Sequence, residues 1–124
     1  MQHSGPVKSY RDLIVWQQAM DLAVQAYDLT RNWPKDELYR LTSQVRRSAS
    51  SIAANIAEGY GRETRGAYQQ FLRIAQGSLK ELETHLLIAE RVGIMMRGAA
   101  AGILERTESL GKLLRLLIRK LSST

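Results

Sequence analysis

The run YQQFLRIAQGSLKELETHLLIA, residues 68–89, decides the fold. Tyr68, Leu72, Ala75, Leu79, Leu82, Leu86 and Ala89 step by four and three, which places all seven on one face of an α-helix. Phe71, Ile74 and Ser78 form a second row that widens the buried face beyond a narrow seam. Gly77 sits inside this helix at a cost of about 1 kcal/mol against alanine, which implies a close backbone contact there. Gly93 marks the stop.

The same period extends outward in both directions. Upstream, Leu38, Leu41, Val45, Ala49, Ile52 and Ile56 form a stripe that starts after Pro34, with Asp36 and Glu37 suited to the positive end of a helix dipole. Ser48, Ala49, Ser50, Ser51, Ala53, Ala54 and Ala57 make this helix thin, so a neighbour can approach closely, and Gly59 and Gly61 are read as its terminators. Further upstream, Leu13, Trp16, Met20, Ala23 and Tyr27 share a face; Asp12 is the expected N-cap, and the helix stops near Asn32, before Pro34. Downstream, Ile103, Leu110, Leu114, Leu117 and Leu121 make the last stripe, with Gly98 and Gly102 blurring its first turn. No stretch alternates as a strand would. The expectation is all-α: four helices of about 20–28 residues in an up-down-up-down bundle over residues 10–124, after a disordered tail at 1–9.

Composition narrows the chemistry. The chain has 124 residues and no cysteine, which excludes thiol catalysis, disulfides and cysteine-ligated metals. It lacks a run of about 20 apolar residues and a signal-peptide core, so a soluble, cytoplasmic protein with no membrane partner is expected. The formal charge is +6, and 13 of the 18 basic residues are arginine, whose planar fork suits phosphate and carboxylate. A basic surface of this kind favours an acidic partner such as nucleic acid, against the plainer reading of a solvated basic surface.

Six apolar residues, Ile14, Val15, Leu22, Leu113, Leu116 and Ile118, lie off the four stripes. Core flanks absorb some of them; the remainder suggests a second buried surface, which symmetric self-association ordinarily supplies.

The candidate anion-binding residues are Arg40, Arg46, Arg47, Arg62, Arg65 and Arg73, opposed between residues 40 and 73 by Glu58 and Glu63. The competing reading is that acids neutralise several of them as ordinary ion pairs. Lys112, Arg115, Arg119 and Lys120 form a second basic stretch, either a solvated face that suits a helix C-terminus or a surface for an acidic partner or membrane. Asn55 and Glu58 read as structural, Asn55 fixing helix register and Glu58 meeting an arginine. Gly59-Tyr60-Gly61-Arg62 lacks the strand and glycine pattern of a phosphate loop. Glu81 and His85 offer two ligands on one face, short of the three or four a metal needs, and His3 lies in the tail. Catalytic residues, cofactors and metals are expected to be absent.

Three blocks carry a resemblance. Tyr10-Arg-Asp-Leu-Ile-Val-Trp16, the run from Arg46-Arg47 through Asn55, Glu58, Gly59 and Gly61 to Arg62, and Phe71-Leu-Arg-Ile-Ala75 with Gly77-Ser78 and Glu81-Leu82-Glu83 together resemble the 23S ribosomal RNA intervening-sequence protein family. Tyr10 stands where that family often has phenylalanine. The resemblance implies a four-helix bundle, a ring-like homopentamer and no established catalytic residues. It also implies kinship with accessory proteins of diversity-generating retroelements, which associate with a reverse transcriptase and nucleic acid. The function expected is therefore a non-enzymatic, oligomeric, basic protein that binds nucleic acid, structured RNA foremost. The alternative is a scaffold or accessory subunit for an acidic protein partner or a reverse transcriptase.

Overall fold

The computed structural model describes residues 6–123. Four helices, α1 (Ile14–Thr30), α2 (Leu41–Tyr60), α3 (Arg65–Arg91) and α4 (Ala101–Ser122), make up the fold, with short 3-10 turns at Tyr10–Asp12 and Lys35–Glu37. Each helix packs on its neighbours in the chain, and α4 closes back onto α1. Cross-links fix the antiparallel order. Ser51 meets Ser78 across α2 and α3, while Gln69 reaches Ile118 and Glu83 reaches Thr107 across α3 and α4. This is the four-helix bundle expected. None of these helices is long and apolar enough to cross a membrane.

The core runs along the bundle axis through Leu22, Ile52, Ile56, Leu72, Leu79, Leu82, Leu86, Leu110 and Leu114, all essentially inaccessible to water. The stripe expected for α3 is its buried face, except that Tyr68 is only half-buried. The end of α3 is a Schellman motif: Gly93, at φ +81°, donates to the Glu90 carbonyl and Ile94 to that of Ala89. A side chain at Gly93 would be strained, which is why the helix stops there.

Several expectations are corrected. In α1 the buried residues are Val15, Ala19, Leu22, Ala26 and Thr30, not the Leu13–Tyr27 stripe. Leu13, Trp16 and Ala23 pack only at the core's edge, and Met20 and Tyr27 are exposed. Both faces of α1 are apolar at helical spacing, and the one carrying small Ala19 and Ala26 faces the interior, because small side chains let helices pack closely. Consequently Val15, Leu22 and Ile118, counted as surplus, are core residues. The true excess outside includes Met20, Val24, Tyr27, Ile74, Leu87, Ile88 and Leu116.

Asp12 does not cap α1; Leu13 holds that position. Asp12 instead closes a capping box with Ser9, accepting from the backbone of Lys8 and Ser9. The rest of the expected tail, residues 1–5, including His3, lies outside the described residues. After Pro34 the chain makes a 3-10 turn, and Arg40, at φ −120° and ψ −109°, breaks it before α2, leaving Leu38 exposed. Gly59 does not end α2 but lies buried within it, and Gly61 is the C-cap.

Gly77, expected at a close contact, faces open space: a β-carbon there would meet nothing within 4 Å. The close approach is at Gly59 instead, where an added β-carbon would fall 2.7 Å from Phe71 Cβ and 3.1 Å from Tyr68 Cδ1.

Candidate nucleic-acid interface

The six arginines divide between the two ends of α2. Arg40, Arg46 and Arg47 sit at its start. Arg62 and Arg65 sit at and beyond its end, with Arg73 two turns into α3. Arg47 and Arg62 are separated by fifteen residues, about 20 Å at 1.5 Å per helical residue. They form two patches rather than one pocket.

Each patch is built differently. At the start of α2, Arg46 donates through Nε to Thr30 Oγ1 at 2.9 Å and lies over the Tyr27 ring, 4.8 Å from its centroid. Thr30 is buried at the end of α1, so half-buried Arg46 is held by α1, with no carboxylate partner among the described residues. Arg47 donates to the Gln44 side chain one turn back. Arg40 is exposed, and among the described residues its side chain has no partner.

At the other end, Arg62 pairs with Glu58 at 2.6 Å and stacks on Phe71, 4.7 Å from the ring centre. The pair is about half exposed on both sides, so it is worth at most about 1 kcal/mol and does not lock the arginine away from a phosphate. Arg65 donates to the Ser123 carbonyl at 3.1 Å, tying α3 to the end of α4. Arg73 is exposed, with no side-chain partner among the described residues. The ion-pair reading of this stretch therefore holds for Arg62 alone.

Between the patches runs a polar seam. Asn55 donates to the carbonyl and hydroxyl of Ser51 at 2.8 and 2.9 Å, and the Ser51 hydroxyl meets that of Ser78 at 2.9 Å. Asn55, expected to fix a helix register, instead bonds within its own helix, and Ser51 makes the link to α3. Beside the seam, Gln44, Arg47, Ser48, Ser51 and Glu81 line a polar pocket of about 270 Å³.

His85 is half-buried, with Nε2 lacking a partner, and among the described residues no three metal-ligating side chains gather. The second basic stretch divides too. Lys112 pairs loosely with Glu108 at 3.8 Å, whereas Arg115, Arg119 and Lys120 have no carboxylate partner among the described residues. Arg115 shares a groove with α3, a grouping that linear spacing hides because it depends on how α3 and α4 are matched in register.

Residues 11–116 match the family described as 23S rRNA-intervening sequence protein. The fold is similar to the crystal structure of a protein with unknown function from the S23 ribosomal protein family of Bacteroides thetaiotaomicron. The TM-score is 0.75 at 26% identity, covering 85% of this chain and 98% of that one. Comparison with curated proteins returns no match.

Proposed function

The chain belongs to the 23S rRNA-intervening sequence protein family, and from that premise we propose that it is a non-enzymatic, self-associating protein that binds the phosphate backbone of structured RNA. One observation carries the reading: of Arg40, Arg46, Arg47, Arg62, Arg65 and Arg73, only Arg62 has a carboxylate partner among the described residues. Unneutralised arginines in two patches about 20 Å apart suit a polyanion longer than a single phosphate group. Contacts of this sort position RNA without reading its bases, so sequence preference is weak.

Self-association is supported by α1, whose outer face presents Met20, Val24 and Tyr27 to solvent. The homopentamer implied by the family resemblance is the assembly we propose. The exposed stripe equally suits a protein partner such as a reverse transcriptase.

The test is binding to a structured RNA at two salt concentrations. Affinity falls steeply with salt if phosphates are contacted, because bound counterions are released. Absent binding at low salt, or a flat response, overturns the reading. Partners recovered in a pull-down that survive nuclease treatment would favour the scaffold alternative.

A further inference from the structure

Between α3 and α4 lies an open groove of about 450 Å³, lined by Gln76, Gly77, Leu79, Lys80, Glu108, Gly111, Lys112 and Arg115. Two glycines shape it, Gly77 by leaving room and Gly111 by letting Leu79 approach. Gly77 leaves free space where a side chain would stand, and a β-carbon on Gly111 would already crowd Leu79 Cδ2 at 3.3 Å. Three cations line it against a single carboxylate, Glu108, whose contact with Lys112 is long at 3.8 Å. Lys80 pairs with Glu83, which is largely withdrawn from solvent and accepts from Thr107.

Past the groove, a basic rim continues toward one end of the bundle. Arg73 lies one turn before Gly77 on α3, and Arg119 one turn after Arg115 on α4; residues four apart are neighbours on a helix surface. Both arginines are exposed without carboxylate partners among the described residues. Beyond them Arg65 and Gln69 bond the last turn of α4 through Ser123, Ile118 and Ser122. From Lys80 to Arg65 the α3 side alone runs about 22 Å.

We infer that this groove is a track for the RNA sugar–phosphate backbone, joining Arg65 and Arg73 of the α3 patch to Arg115 and Arg119 of α4. The inference rests on the RNA-binding reading above and adds to it a specific channel and the α4 arginines. Glycine at 77 keeps the floor open to a close-lying backbone, and the cations along the rim meet successive phosphates.

The experiment measures RNA affinity against salt for four proteins beside the wild type: Arg115→Gln/Arg119→Gln, Gly77→Glu, Arg46→Gln/Arg47→Gln, and Arg91→Gln/Arg97→Gln as a charge-matched control. Circular dichroism verifies helix content in each. The Arg115/Arg119 pair is expected to lower the slope of log affinity against log salt by about 1.4–1.8, the contribution of two phosphate contacts. Gly77→Glu, with room for its side chain, is expected to weaken binding at least tenfold while leaving the fold intact. The control is expected to bind as wild type does. If both groove variants bind like wild type while Arg46→Gln/Arg47→Gln weakens binding, the groove is refuted and the broader reading stands. If the control loses as much as the groove pair, general charge accounts for binding and the groove is refuted. If the wild type binds no RNA, the broader reading falls and the groove with it.

Discussion

A β-carbon on Gly59 would stand 2.7 Å from the β-carbon of Phe71, closer than side chains pack. The two residues pack α2 directly against α3, Gly59 in the last turn of α2 and Phe71 in the second turn of α3. Gly59→Ala is expected to destabilise by about 1–2 kcal/mol, since overpacking outweighs the helix propensity gained. Gly77→Ala has the opposite sign: its side chain meets nothing, so it stabilises by about 0.5–1 kcal/mol. Denaturant unfolding of both variants checks the contrast.

The hydroxyl of Tyr68 is buried without a hydrogen-bond partner among the described residues. Desolvation, with Tyr60 adding to it, pushes its pKa up to about 12 from 10.0. The fold favours the neutral phenol, so its contribution is intact below about pH 10 and is lost as pH rises through about 12. Tyrosinate absorbance against pH should show one late-titrating residue, missing in Tyr68→Phe. At neutral pH that variant is expected to be as stable as wild type or more so, because no bond is lost with the hydroxyl.

Ser51 and Ser78 share a hydrogen bond at 2.9 Å, and Asn55 leans on the same Ser51 hydroxyl. Ser51→Ala leaves the buried Ser78 without its cross-helix partner and is expected to cost about 1–2 kcal/mol. The double variant Ser51→Ala/Ser78→Ala should lose less than the sum of the single losses. A double-mutant cycle with a coupling of about 0.5–1 kcal/mol is the expected result.

The outer stripe of α1 makes a prediction about mass. Light scattering of the wild type should give a multiple of the 14.0 kDa subunit. Met20→Lys/Val24→Lys should lower that mass while helix content persists, since both side chains are exposed in the subunit. A wild-type monomer would contradict the proposed assembly.

Helical spacing made the four helices and the stop at Gly93 legible, because periodicity and a left-handed glycine are local properties. The buried face of α1 was not legible in the same way. Val15, Ala19, Leu22 and Ala26 are as regularly spaced as Leu13, Trp16, Met20, Ala23 and Tyr27, and only the fit to the other helices separates them. Bulky residues drew attention where small ones mattered. The arginines were legible as residues, but their partners were not: that Arg46 would rest on Tyr27 and Thr30 depends on where α1 ends against α2. The groove at Gly77 required the alignment of Gln69 with Ile118, which no spacing within α3 encodes.

The two apolar faces of α1 also bear on how the chain reaches its native state. One residue step around the helix, about 100°, exchanges the Ala19–Ala26 face for the Trp16–Tyr27 face. The two faces offer α1 two sides by which to dock, a local conflict of the kind minimally frustrated sequences limit. The same duplication that equips the folded subunit with an outward apolar stripe makes α1 the segment expected to settle last.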